Sequence, residues 1–200
     1  MIERILKLTV AALVSTATFA QAEPLSLDDI SSYFNSMTTL KTEFEQLNDD
    51  GSVSRGRLYI RRPGRIRFEY DRPDDSLVIS GEGQVAIFDN KSNAPPEKFP
   101  LVKTPLYLIL GPEVDLDAEK FVTAVRSDEE ATSVLIQDIE HPEIGTMQLV
   151  FANDPVALRQ WIIMDGSGQR TQVNLGDLEL GMSLHPRLFK IDDEEKKRGF

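Results

Sequence analysis

The sequence contains no cysteine and only two histidines in 200 residues. The absence of cysteine excludes a disulfide framework, a thiol nucleophile, a thiolate metal site and a lipid carried on an N-terminal cysteine. His141 and His185 each stand beside a proline in a loop pattern, whereas zinc sites and catalytic triads need several convergent ligands. No phosphate-binding loop, nucleophile elbow or dinucleotide fingerprint is present. The sequence therefore predicts a protein that is not an enzyme and that has no metal and no cofactor.

Long apolar runs are also scarce, since the one clear example extends from Leu8 to Phe19. A short charged segment precedes it, and Ala20-Gln21-Ala22 follows it, which is the pattern of a secretory signal peptide cleaved before Glu23. The alternative is an amphipathic helix that stays attached, but the run has no polar face and is too short to span a bilayer. We therefore expect an exported, soluble protein without a membrane span.

Positive charge is the minority, because 33 acidic residues outnumber 22 basic ones and give a formal net charge of −11. Such a surface repels nucleic acid and anionic membranes. It suits a basic protein partner, or it simply keeps the protein soluble, and net charge alone does not separate these two interpretations. We expect three parts: a signal peptide at 1–22, one domain at 23–191 and a charged, frayed tail at 192–200.

Short alternating runs separated by turn residues dominate the rest of the chain. Ser26 and Asp29 form a capping-box pattern that predicts a first helix, and Thr104 to Gly111 predicts a short apolar helix in mid-chain. About ten strands surround these helices, and the stretch from Asn90 to Pro100 is too rich in turn residues for regular structure. The pattern predicts a mainly β fold with some α: a single curved antiparallel sheet, with helices packed on its apolar side.

The stretch from Arg57 to Tyr70 holds two of these strands, joined by the turn Arg62-Pro63-Gly64-Arg65. Its apolar residues alternate with charged ones, as in a half-buried antiparallel pair. Counting by twos from the apolar positions places Arg62 on the apolar face at the edge of the turn. The alternative is that proline breaks the pleat and that Arg62 is solvated in the turn. Alternation leaves both possibilities open.

Apolar surface without catalytic groups is thus the main chemical feature of the chain. A cavity for an acyl chain would need such a surface and a helix that can open, but the same residues would also form an ordinary dry core. Periodicity does not separate these two interpretations.

Several blocks of the sequence resemble the LolA family of periplasmic lipoprotein carriers, over nearly the whole chain after the signal peptide. The blocks are Phe44-Glu45-Gln46, Gly51 and Gly56 before Leu58-Tyr59-Ile60, Arg62 to Tyr70, Gly81 to Phe88, Thr104 to Leu110, Leu149-Val150-Phe151, and Leu158-Arg159-Gln160-Trp161 leading to Asp165, Gly168-Gln169 and Thr171. The resemblance implies an unclosed half-barrel whose concave apolar face is covered by helices and binds the acyl chains of outer-membrane lipoproteins.

The resemblance also implies partners and residue roles. A soluble monomer in the periplasm would take lipoproteins from an ATP-driven exporter in the inner membrane and deliver them to an acceptor in the outer membrane. Arg62 matches the family's arginine that hydrogen-bonds to the lid helices and is needed for onward transfer. The residues expected near the hydrophobic cavity are Phe34, Met37, Phe44, Leu58, Ile60, Phe68, Leu106, Leu108, Ile109, Leu149, Phe151 and Trp161.

Two other functions fit the same predicted fold. One is a carrier of a different lipid, which the identity of the bound ligand would distinguish from a lipoprotein carrier. The other is a lipid-sensing regulatory module, which would need a second domain that residues 23–200 leave little room for.

Overall fold

The structure is a computed structural model that describes residues 25–116 and 121–200. The predicted signal peptide at 1–22 and its cleavage point before Glu23 lie outside the described residues. The described part of the chain contains no helix that is both long and apolar enough to cross a membrane.

One antiparallel sheet contains every strand of the described residues, twelve where the sequence predicted about ten. The strands are β1 (Thr39–Leu47), β2 (Val53–Arg61), β3 (Arg65–Tyr70), β4 (Leu77–Gly81), β5 (Gln84–Phe88), β6 (Glu97–Pro100), β7 (Val122–Ser127), β8 (Ala131–Gln137), β9 (Gly145–Ala152), β10 (Ala157–Asp165), β11 (Arg170–Leu175) and β12 (Glu179–Leu180). Their order is β6-β5-β4-β3-β2-β1-β11-β10-β9-β8-β7, and β12 pairs with β1. Because β6 and β7 lie at opposite ends of this order, the sheet is unclosed, as predicted.

The first helix begins where the sequence predicts it, whereas the mid-chain helix is shorter than predicted and begins later. Helix α1 (Leu27–Ser36) begins at the predicted capping box, in which the Ser26 hydroxyl accepts from the Asp29 amide and the Asp29 carboxylate accepts from the Ser26 amide. Helix α2 (Tyr107–Leu110) is only four residues long and is not capped by Thr104, whose hydroxyl instead donates to the Leu101 carbonyl oxygen.

Two predictions about irregular segments were wrong. The stretch from Asn90 to Pro100 was expected to lack regular structure, but it ends in strand β6, which pairs with β5. The tail at 192–200 was expected to be frayed, but it forms most of helix α3 (Ile191–Arg198). Three acidic residues in the first turn of α3 and three basic residues in its last turn complement the helix dipole, and Gly199 ends the helix in a left-handed conformation.

The core lies between one face of the sheet and helix α1. Buried and partly exposed residues alternate along β8 and β9, so each strand turns one row of apolar side chains toward the helix. Strand β10 breaks this period, since Leu158 and Trp161 are both fully buried although they are three residues apart. A register shift between Leu158 and Gln160 explains this, because one extra residue in a bulge returns the next side chains to the same face.

A smaller apolar cluster on the other face holds helix α3. It consists of five buried residues: Leu77, Ile79, Ala86, Phe88 and Ile191. The sheet is therefore covered on both faces, by a large apolar contact with α1 and by a small one with α3.

Candidate functional site: an apolar face under a helical lid

All twelve residues predicted to lie near a hydrophobic cavity belong to the main core cluster or pack against it. Ten of them are buried, and Leu106 and Leu108 are partly exposed at the edge of the cluster. The helices thus cover the apolar face of the sheet, and the side chains of the two layers fill the space between them. The structure is that of a closed lid.

Aromatic rings form two connected groups on this face. Near α1, the Phe34 ring meets the Phe151 ring edge-on, with 5.8 Å between their centroids. Farther along the sheet, the ring of Phe68 lies between those of Phe44 and Trp161, at 5.2 Å and 6.2 Å, again edge-on. Edge-on pairs of this kind add stability beyond that of the buried area alone. The rings of Phe44, Phe68, Phe151 and Trp161 thus form a large aromatic surface on the sheet, buried beneath the helices.

We call α1 together with residues 104–116 the lid. Two side chains of α1 bind the second part of the lid to the first. The Asn35 amide pairs with the Val114 backbone through two hydrogen bonds, one donated at 2.8 Å and one accepted at 2.9 Å. The Ser31 hydroxyl accepts from the Leu116 amide at 2.9 Å. These bonds make the two parts of the lid one mechanical unit.

Arg62 connects this unit to the sheet at the turn between β2 and β3. Its guanidinium donates to the carbonyl oxygen of Phe34 near the end of α1, and to the carbonyl oxygen of Gly111 after α2 at 2.9 Å. Carbonyl groups at the end of a helix lack an intrahelical partner and carry the negative end of the dipole, so a cation stabilises them. Of the two orientations that the sequence left open, Arg62 adopts the one toward the apolar face.

The guanidinium of Arg62 is only partly satisfied by these contacts. Its Nε is buried and has no hydrogen-bond partner among the described residues, and burial lowers the pKa of the side chain. The neighbouring Gly64 amide adds a bond of 2.8 Å to the Leu110 carbonyl oxygen. Gly64 has φ +73°, which favours glycine at this position of the turn. A few polar bonds thus close the lid at this end.

Sequence reasoning missed two further bonds between the lid and the sheet. The hydroxyl of Tyr33 on α1 accepts from the Leu158 amide at 3.3 Å, directly at the bulge of β10. The Leu25 amide, just before α1, donates to the Thr132 hydroxyl on β8 at 3.1 Å. The only signal for the first bond is the three-residue spacing of Leu158 and Trp161, which reveals the bulge, and no local pattern reveals the second.

Titratable groups do not converge on this site. Within residues 25–116 and 121–200, no group of three or more histidine, aspartate or glutamate side chains is placed to hold a metal ion. Trp161 is fully buried, and its indole Nε1 has no hydrogen-bond partner among the described residues. The arrangement offers apolar contacts beneath a helical cover.

Comparison with known proteins shows which protein family this chain resembles. A family model described as "Outer membrane lipoprotein carrier protein LolA" matches residues 35–192. An outer-membrane lipoprotein carrier protein of Pseudomonas aeruginosa is 30% identical over 195 residues, covering 92% of this chain and 92% of its own. A protein of the same name from Chromohalobacter salexigens is 24% identical over 196 residues, covering 94% and 92%.

Among solved structures, the chain matches a LolA superfamily protein from Nitrosomonas europaea with a TM-score of 0.43 and 8% identity, covering 84% of this chain and 99% of the other. That likeness is too slight to add to the assignment. The family model and the Pseudomonas aeruginosa relative are sufficient, and the chain belongs to the LolA family.

Proposed function

We propose that this protein is a periplasmic carrier, and not an enzyme, that binds the acyl chains of lipoproteins on its concave apolar face. It receives them from an ATP-driven exporter in the inner membrane and delivers them to an acceptor in the outer membrane, acting as a monomer. Membership of the LolA family supports this proposal, since the 30% identical relative from Pseudomonas aeruginosa is named an outer-membrane lipoprotein carrier protein.

The observation that carries the proposal is the contrast between a large apolar contact and the small number of polar bonds that close it. Burying one acyl chain of about sixteen carbons contributes on the order of 12 kcal/mol, at ~0.8 kcal/mol for each methylene. A cargo chain can therefore replace the apolar contacts of the lid, while the hydrogen bonds of Arg62, Gly64, Tyr33 and Leu25 oppose opening. The twelve predicted cavity residues are the proposed binding surface.

Capture of cargo tests this function directly. We expect protein isolated gently from the periplasm to carry acylated peptides that mass spectrometry identifies, and immobilised protein to release lipoproteins from spheroplasts. Recovery of a different lipid in place of acylated protein would instead support a carrier of another lipid class. Recovery of no acylated ligand by either route would refute the proposal.

The role of Arg62 has its own test. In the Arg62→Leu variant the lid loses its two carbonyl contacts, so we expect cargo uptake to persist while delivery to outer membranes falls at least tenfold, because the open form stays loaded. The matched control is Arg57→Leu, since Arg57 lies exposed on the adjoining strand β2 and contacts Glu69 instead of the lid. Equal delivery by both variants would contradict the role of Arg62 in transfer.

A further inference from the structure

A pocket of about 580 Å³ opens at the turn between β2 and β3. Three arginines line it, Arg61, Arg62 and Arg65, and His185 lies across from them. Hydroxyl groups of threonine and serine complete the polar lining, and no carboxylate of the described residues takes part in it. The protein thus concentrates positive charge in one place although its net charge is −11.

These arginines differ from others on the same two strands. Arg57 and Arg67 both contact Glu69, at 3.3 Å and 2.7 Å. Arg61 and Arg65 instead donate to the backbone carbonyls of Leu184 and Arg61, at 2.9 Å and 3.2 Å. Within residues 25–116 and 121–200, none of the three pocket arginines forms an ion pair with a carboxylate.

The arrangement is unfavourable without an anion. Arg61 and Arg65 are direct partners across the β2–β3 pair, and like charges in that position destabilise a sheet. Burial, and then the charge of Arg61, lower the pKa of Arg65. The buried Nε of Arg62 adds a donor without a partner among the described residues. Repulsion and unpaired donors together favour binding of a negatively charged group.

Phosphate fits this lining better than a single carboxylate does. A guanidinium binds an oxyanion through two parallel hydrogen bonds, and three guanidinium groups with nearby hydroxyls provide more donors than the two oxygens of one carboxylate accept. The pocket is also larger than one phosphate needs. Arg61 and Arg65 alternate with the buried Ile60 and Ile66, so they lie on the face of the sheet opposite the lid, and Arg62 at the turn connects the pocket to the lid.

We propose that this pocket is a binding site for one phosphate group, either free or as the headgroup of a phospholipid. Its relevance to lipid carriage rests on the proposed function, whereas binding of phosphate itself does not. Arg62 lines the pocket and also binds the lid through Phe34 and Gly111. A bound phosphate therefore competes with the carbonyl oxygens of Phe34 and Gly111 for the same guanidinium, and its binding loosens the lid.

Calorimetric titration of the purified full chain at constant ionic strength tests the site. The ligands are inorganic phosphate, dioctanoyl phosphatidic acid and dioctanoylglycerol, of which the last has the same acyl chains without the phosphate. We expect phosphate to bind and the double variant Arg61→Gln/Arg65→Gln to weaken its affinity about tenfold or more. The control Arg57→Gln should leave the affinity unchanged. If thermal unfolding shows that the double variant does not fold, Arg65→Gln alone replaces it.

The titrations with the two lipids distinguish a phospholipid headgroup from free phosphate as the ligand. Tighter binding of phosphatidic acid than of inorganic phosphate identifies a lipid headgroup, and equal binding identifies free phosphate. Absence of phosphate binding, or equal affinity in all variants, would overturn the proposal. Failure of dioctanoylglycerol to bind would count against the proposed function, the carriage of acyl chains, but not against the phosphate site.

Hydrogen exchange measures the link to the lid. We expect phosphate to speed amide exchange in α1 of the natural chain but not in the double variant. Exchange in α1 that does not change when phosphate binds would contradict the competition for Arg62.

Discussion

Helices α1 and α3 cover opposite faces of one sheet, and they are attached in different ways. Helix α1 buries Ile30 and Phe34 in the main core and is bonded to the sheet by a few hydrogen bonds. Helix α3 buries Ile191 in a cluster of five residues, and charged contacts to the sheet supplement it: Glu194 meets Arg67 of β3 and Glu195 meets Lys98 of β6. An apolar ligand can replace the contacts of α1, but it offers nothing to the charged contacts of α3.

Truncation of one core residue under each helix should produce the largest difference. We expect Phe34→Ala to lower the free energy of unfolding by about 3 to 5 kcal/mol and Ile191→Ala by about 2 kcal/mol, because the latter residue lies in a smaller cluster. Urea denaturation measures both. A greater loss for Ile191→Ala would show that α3, and not α1, covers the main core.

Replacing Arg62 by lysine should loosen the lid without removing the charge. A single ammonium lacks the planar fork that reaches two carbonyl oxygens, and one charged hydrogen bond contributes about 1.5 to 3 kcal/mol. We therefore expect amide exchange in α1 to quicken about tenfold, while exchange in α3 stays the same. Arg57→Lys is the control, and equal effects of the two variants would refute the special role of Arg62.

The sequence predicts those attachments that depend on residues close together in the chain, and it fails where the partners are distant. The capping box of α1 and the alternation in β2 and β3 are local patterns, and the structure confirms them. Whether Arg62 turns inward was open, because it depends on carbonyl oxygens at Phe34 and Gly111 that are distant in the chain.

Helix α3 was missed because its apolar content is low, and a charged segment with little apolar surface is typical of a frayed terminus. Its signals were the acidic first turn, the basic last turn and Gly199, all of which favour a helix at low apolar content. The bond between Asn35 and Val114 had no signal at all, because a polar residue on a helix does not reveal a partner in a distant loop.

Loss of the Tyr33 hydroxyl should have a moderate effect. In Tyr33→Phe the Leu158 amide loses its acceptor at the bulge, so we expect the free energy of unfolding to fall by about 1 kcal/mol. Tyr107→Phe is the matched control, because Tyr107 also belongs to the lid and is 40% exposed. Identical urea denaturation curves for the two variants would mean that the Tyr33 bond contributes nothing.

The smallest effect concerns the charges that hold α3. Burial opposes ionisation of Glu194, but the hydrogen bond from Arg198 and the charges of Lys197, Arg67 and Arg198 outweigh it and lower the pKa of this carboxyl below its ordinary value of 4.5. A lowered pKa in the folded state means that this stabilisation is present above pH 4.5 and is lost as the pH falls through the lowered value.

Glu194→Gln should therefore remove part of the acid sensitivity of α3. We expect a loss of about 1 kcal/mol at neutral pH, because the amide oxygen of glutamine still accepts a hydrogen bond from Arg198 and only the charge is lost. Thermal unfolding across acidic pH checks this, with Glu97→Gln in the exposed strand β6 as the control. An unchanged pH profile for Glu194→Gln would exclude a contribution from its ionisation.

Spin-label distances test the central claim, that an acyl ligand displaces α1 but not α3. The chain has no cysteine, so cysteines introduced in pairs at the exposed positions Ser32 and Glu43, and at Lys196 and Glu43, accept labels specifically. On addition of a triacylated lipopeptide, we predict that the Ser32–Glu43 distance lengthens while the Lys196–Glu43 distance stays constant. Lipopeptide binding that leaves the Ser32–Glu43 distance unchanged, or that alters both distances alike, would contradict the account.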